Sequence, residues 1–287
     1  MLRTPCFNAL LFCLICVASA SAQQPTTYTL KLGRGLKEFD QYLLKATYEQ
    51  RSQTKIFGGD NLLGDTTDIV RIIIAAQCSV TYVTVDGQEK EKNLVIRSFQ
   101  LQTNTDTFDV MNTGTKVRCW FSDSGSVFTV NGEPVADTVA ALLSNVVMGE
   151  GGAKTGNVLD AKKPVALGST WKMNIAALKR ILGREQVRLM KKIDGTVTFA
   201  AIDSTGPQVT AIVTARAEAP KFTMRLDGAP YPLVGSLVAE FRYVVPIDTR
   251  FPPVALTTST TQTYSATQGT QRAESYVTTS RQSEFIR

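Results

Sequence analysis

Apolar and polar residues alternate with period two along most of this chain. The pattern is rich in β-branched and aromatic residues in YTLKL, VRIIIAAQCSVTYVTV, NLVIRSFQLQT, TKVRCWF and SVFTV. It returns in TVTFAAID, QVTAIVTARAEA, KFTMRL and SLVAEFRYVVPI. Such alternation marks half-buried strands. Several segments exceed the usual strand length of about 5–6 residues, which predicts a long, twisted antiparallel sheet. Turn chemistry separates them at Asp86–Gly87, Asn131–Gly132, Asp194–Gly195, Ser204–Pro207 and Asp227–Gly228. The charged stretch KEFDQYLLKATYEQR mixes both signs as a solvated face does, and GGDNLLGDTTD reads as a turn-rich loop.

Two segments change period. GEPVADTVAALLSNVVMGEGG places Leu142, Leu143, Val146 and Val147 on one stripe at helical spacing, between Pro134 and Gly149. STWKMNIAALKRILG does the same with Ile175, Leu178, Ile181 and Leu182, and Gly183 stands ready to end it. Helices this short gain their stability from packing, so both are expected on the sheet. The predicted fold is mainly β: a long twisted antiparallel sheet, curved into a half-barrel and packed with two short helices. Between the helices lies a Gly/Lys-rich stretch, 149–164, a candidate mobile loop dividing the chain into halves at 23–148 and 165–287.

The polar run from Thr257 to Phe285 admits two readings, a disordered tail or a hairpin. Threonine favours strands, Tyr264, Tyr276, Val277 and Phe285 punctuate the run, and SATQGTQ supplies a turn. The preferred reading is two antiparallel strands, 254–266 and 273–285, at the edge of the sheet.

The first residues follow another logic. Arg3 precedes an apolar run from Phe7 to Val17, and small-residue sites follow at Ala18–Ala20 and Ala20–Ala22. This is the order of a secretory signal peptide, expected to span 1–22 and to be cleaved between Ala22 and Gln23. A single soluble domain, 23–287, would then be periplasmic or extracellular. Cleavage leaves Cys78 and Cys119, and an even pair in an oxidising compartment predicts one disulfide between adjacent strands. Two buried thiols are the alternative.

Composition narrows the chemistry. The chain has no histidine, which removes Ser-His-Asp and Cys-His catalysis and histidine-containing zinc sites. The net charge of +6 is dispersed. No aromatic residue interrupts its main basic run, REQVRLMKK, so nucleic acid is not an expected partner. GEGGAKT lacks the spacing and strand context of a phosphate loop. Asp60, Asp65, Asp68, Asp106 and Asp109 read as solvated carboxylates. Trp120 and Trp171 read as core aromatics. Neither a metal nor a cofactor is expected.

A helix after an Asn-Gly turn and a second after GSTWKMNIAAL, among long antiparallel strands in an exported chain, resemble a group of uncharacterised bacterial exported β proteins. In architecture the chain is also similar to periplasmic lipoprotein carriers of the LolA type. That resemblance implies a concave face enclosing an acyl-chain pocket, and transfers no residue by position. The leading expectation is a non-catalytic binding or carrier protein for an apolar or amphipathic ligand, its pocket lined by Leu142, Val146, Ile175, Leu178 and Ile181. Ordinary core packing is the competing account of those side chains. A partner-binding envelope protein using the polar edge hairpin for strand addition is the second expectation, and a carboxylate-based hydrolase the third.

Overall fold

A computed structural model describes residues 26–32, 37–85, 87–122, 125–147, 153–178, 192–224, 233–248, 250–251 and 253–286. The signal cleavage site at Ala22 and Gln23, the Asp227–Gly228 turn, Ile181, Leu182 and Gly183 lie outside the described residues.

The chain is mainly β, and its dominant element is one open antiparallel sheet that does not close into a barrel. Its elements are β1 (Thr27–Tyr28), β2 (Gln41–Gly58), β3 (Asn61–Val83), β4 (Glu89–Gln102), β5 (Thr107–Asp109), β6 (Lys116–Ser122), β7 (Gly125–Val130) and β8 (Glu133–Pro134). Then come α1 (Asp137–Val146), α2 (Ala153–Leu159), β9 (Val165–Ala166), β10 (Thr170–Lys172), β11 (Asp194–Asp203), β12 (Thr210–Met224), β13 (Leu233–Pro246), β14 (Ala255–Gln268) and β15 (Gln271–Ile286). The sheet runs β10-β11-β12-β13-β14-β15-β2-β3-β4-β6-β7-β8, with β5 beside β4; β1 and β9 pair separately.

The polar C-terminal segment is a hairpin, as preferred, yet it occupies the middle of the sheet and not its edge. β14 pairs with β13 and β15 with β2 along almost their whole lengths. Strand addition onto this hairpin is therefore ruled out, because both of its outer sides already have partners. The path instead ends in β8 and β10, two and three residues long, and edges this short are blunted against pairing.

Register shows where the core sits. Phe199, Val213, Tyr243, Leu256, Ser283, Ala46, Ile74 and Phe99 form one row across eight strands. Opposed residues project to the same face, so both hydrophobic clusters lie on one inner side. The first cluster joins β2, β3, β4, β6 and β7 to α1 through Leu143, Val146 and Val147. Arg281 of β15 donates to the Val146 carbonyl at 3.1 Å, placing a cation at the negative end of the helix. The second cluster joins β11, β12 and β13 to Leu30, Leu32, Val158, Leu159 and Ala177. Trp171 packs against it and donates to the Leu159 carbonyl at 2.8 Å.

Three expectations are revised here. The stretch 149–164 contains α2, which buries Val158 and Leu159. Asp194–Gly195 opens β11 instead of forming a turn, with Asp194 held by Lys172 at 3.0 Å. β2, and the 61–70 half of β3, are strand where sequence suggested a solvated face and a loop. The Asn131–Gly132 turn stands as expected, with both residues at positive φ (52° and 88°), the signature of a type I′ hairpin.

Ser283 sits at the seam between the two clusters, fully buried, and its hydroxyl has no hydrogen-bond partner. A desolvated, unpaired hydroxyl costs about 1–3 kcal/mol. Ser283→Ala is expected to stabilise the protein by about 1 kcal/mol, read as a higher urea midpoint at unchanged slope.

Candidate functional site

The side chains expected to line one pocket fall into two groups. Leu142 and Val146 belong to the first cluster. Ile175 and Leu178, on a helical turn over 175–178, pack against the second. The two clusters occupy different strands of the inner face, so these four belong to separate clusters.

The expected Cys78–Cys119 disulfide is not formed; both cysteines are buried free thiols. β4 runs between their strands, Cys78 standing opposite Leu94 and Cys119 opposite Lys92. Two strand spacings of about 4.8 Å exceed the Cα separation of about 4.4–6.8 Å that a disulfide spans. Burial pushes the Cys78 thiol up to about 11 and the Cys119 thiol up to about 12, and the nearby Lys92 cation offsets only part of this. Thiols held this high carry almost no thiolate at neutral pH, so they are poor nucleophiles and metal ligands. In the chain starting at Gln23, neither should react with a thiol reagent such as DTNB at pH 7.5 until the protein is unfolded, when both titrate.

Beside them is a sealed ion pair. Lys92 and Glu89 are 1% and 0% exposed, with Nζ 3.1 Å from Oε2. The Lys92 ammonium also donates to the Tyr42 hydroxyl at 3.2 Å and lies 5.1 Å from the Phe121 ring centre. Its environment holds it in place and gives no access to substrate. Among the described residues no cluster of acidic or cysteine side chains has the makings of a metal site.

The outer face presents different chemistry. Tyr82, Glu91, Trp120 and Val127 form a row across β3, β4, β6 and β7. Trp120 is not a core aromatic: it is 42% exposed and Tyr82 is 43% exposed. Their rings stack at 6.1 Å between centres and 12° between planes. Glu91 lies between their strands, only 12% exposed in its side chain, and accepts from Arg118 Nε at 2.7 Å. That hydrogen bond, and then the charge behind it, raise the Arg118 pKa.

A trough of about 650 Å³ opens beside this row, lined by Asn93, Val95, Arg118, Trp120, Val127 and Asn131. The strand register puts the side chains there, and the Asn131–Gly132 turn adds to the lining. Two further troughs lie on other strands of the sheet. One, of about 520 Å³, is built around Arg216, Glu240 and Arg242. The other, of about 740 Å³, runs between Lys55, Glu274 and Tyr276.

The phase of β6 was the available signal for Trp120. In KVRCWFS, burying Val117, Cys119 and Phe121 turns Trp120 outward. The ambiguity is that Trp120 and Phe121 are adjacent and both aromatic, so pattern alone lets either one face the core.

No protein-family model matches the chain, and no curated protein sequence matches it. Among solved structures it is similar to lipovitellin, from a structure describing lipid–protein interactions, at 9% identity and a TM-score of 0.35. That alignment covers 86% of this chain and 25% of lipovitellin, so the chain spans about a quarter of that protein's length. It is also similar to an outer membrane channel from Pseudomonas putida F1, at 8% identity and a TM-score of 0.22, covering 88% of this chain and 98% of the channel. At these scores neither likeness bears on the site. No helix among the described residues is long and apolar enough to cross a membrane.

Proposed function

We propose that this chain is an exported, non-enzymatic binding protein whose ligand is an amphipathic small molecule seated on the outer face of the sheet. One observation carries the proposal: an exposed aromatic ring, Trp120, itself stacked on Tyr82, lines a trough rimmed by polar side chains. Ligand sites combine apolar and aromatic surface with a few placed polar groups, and this trough has both. Export is supported by the charged, apolar and small-residue order of the first 22 residues. A non-catalytic role is supported by the absence of histidine and by burial that keeps both thiols protonated.

The test begins with protein recovered from the exported fraction and weighed by mass spectrometry, first under native conditions and then after extraction with aqueous methanol, which releases polar and apolar ligands alike. The expected result is an excess mass that extraction removes, together with a chain that starts at Gln23. Stacking on an exposed aromatic contributes about 1–3 kcal/mol, so Trp120→Ala should weaken retention of that ligand roughly tenfold or more. Full retention by Trp120→Ala would place the ligand elsewhere.

A further inference from the structure

We infer that the ligand is a carbohydrate, held by a neutral pyranose unit stacked on the Tyr82–Trp120 platform; the inference rests on the outer trough being the binding site. Sugar rings are amphipathic in a particular way. One face presents a flat array of polarised C–H groups, and the periphery presents hydroxyls.

The platform matches the flat face. Its two rings stack 12° from parallel with centres 6.1 Å apart, which holds the Trp120 ring in one orientation while it stays 42% exposed. Val127 extends the row by one strand. The surroundings match the periphery. Glu91 is held by Arg118 through one carboxylate oxygen, and a carboxylate has acceptor capacity beyond a single bond. Arg118, with five N–H donors, remains 64% exposed in its side chain. Asn93 and Asn131 add amides along the lining. A carboxylate, a guanidinium and amides beside an aromatic plane are suited to adjacent hydroxyls, each of which both donates and accepts.

The arrangement fits an acyl chain less well. A long apolar tail gains most from enclosure on all sides, whereas this surface lies on the open outer face with an ion pair inside the row. The Glu91–Arg118 pair compensates its own charge, which favours a neutral sugar over a strongly acidic or basic one.

The test uses the chain from Gln23 onward and its tryptophan fluorescence, to which only Trp120 and Trp171 contribute. Trp171 is fastened in the second cluster, so a ligand at the platform acts on the Trp120 emission. Neutral hexasaccharides of β-1,4-glucose, α-1,4-glucose, β-1,3-glucose and N-acetylglucosamine are titrated, with dodecylphosphocholine as the acyl-chain probe. At least one hexasaccharide should give a saturable blue shift. By calorimetry, Trp120→Ala should abolish binding, Trp120→Phe should preserve most of it, and Glu91→Gln and Tyr82→Ala should each weaken it about tenfold. Far-ultraviolet circular dichroism confirms that each variant is folded. Binding of dodecylphosphocholine alone, dependent on Trp120, would overturn the carbohydrate inference and leave the binding proposal standing. No response to any probe would overturn both.

Discussion

Replacing Lys92 with methionine is expected to destabilise the protein by about 3–5 kcal/mol, the largest single effect the structure predicts. The cost lies less in the lost attraction than in what remains. Glu89 is 0% exposed, and without the ammonium 3.1 Å away its carboxylate loses the cation that compensates it in a buried setting. Glu89→Gln should cost a similar amount for the converse reason, because it leaves an ammonium in the same place. Replacing both at once, as Lys92→Met with Glu89→Leu, removes two desolvated charges together. Such replacements are often neutral or stabilising by about 1–4 kcal/mol. Urea unfolding of the two single variants and the double variant checks this. The expected pattern is two large losses and a double variant close to wild type. Three midpoints near that of the wild type would show that the pair is hydrated and not sealed.

Gly235→Ala is expected to cost about 3 kcal/mol, at the top of the usual range for overpacking. Gly235 lies in β13 between Phe222 of β12 and Tyr264 of β14, whose rings meet edge to face at 5.7 Å. A methyl group at this position would stand 2.2 Å from the Thr263 carbonyl oxygen and 2.8 Å from the Phe222 ring. A ring can turn aside, but the carbonyl belongs to the β13–β14 ladder and moves only if the strands part. Phe222→Leu should therefore rescue Gly235→Ala only in part. Thermal unfolding of the single and double variants separates the two contacts, and full rescue would show that the backbone clash is relieved without cost. Leu143→Ala, at a fully buried position of α1, should lose about 2–5 kcal/mol and serves as a calibrating core truncation.

The fold class was legible in the sequence wherever one side of a strand is buried. β6 shows this, with Val117, Cys119 and Phe121 inside and the residues between them outside. Legibility failed where a strand extends past both clusters. From Gln50 to Gly58 and from Asn61 to Val70 no residue is fully buried, so polar groups suit either face and no alternation survives. The same wetness makes β14 look like a tail, since no residue from Ala255 to Gln268 is fully buried. Its central place was out of reach for a different reason. Hairpin pairing is local, but the pairing of β15 with β2 joins residues more than 200 positions apart, and no short-range pattern encodes it. Cys78 and Cys119 were both correctly read as strand residues, yet the intervening β4 was invisible to a count of cysteines. The candidate trough depends on ring orientation across three strands and was not legible at all.

The central position of the C-terminal hairpin also sets an order of events. A ribosome delivers β2 long before β15: the eighteen-residue β2 has an open flank until residues 271–286 appear, and the fourteen-residue β13 has one until residues 255–268 do. Contacts at such separation slow folding, and long bare flanks invite pairing with other chains. The protein is thus most vulnerable while incomplete, and a stop at residue 250 should yield aggregates and not a smaller soluble body. The threonines and glutamines of β14 and β15 suit this late arrival: a segment that must wait, exposed, to zip the two halves together is safest when water is an acceptable neighbour on both of its sides.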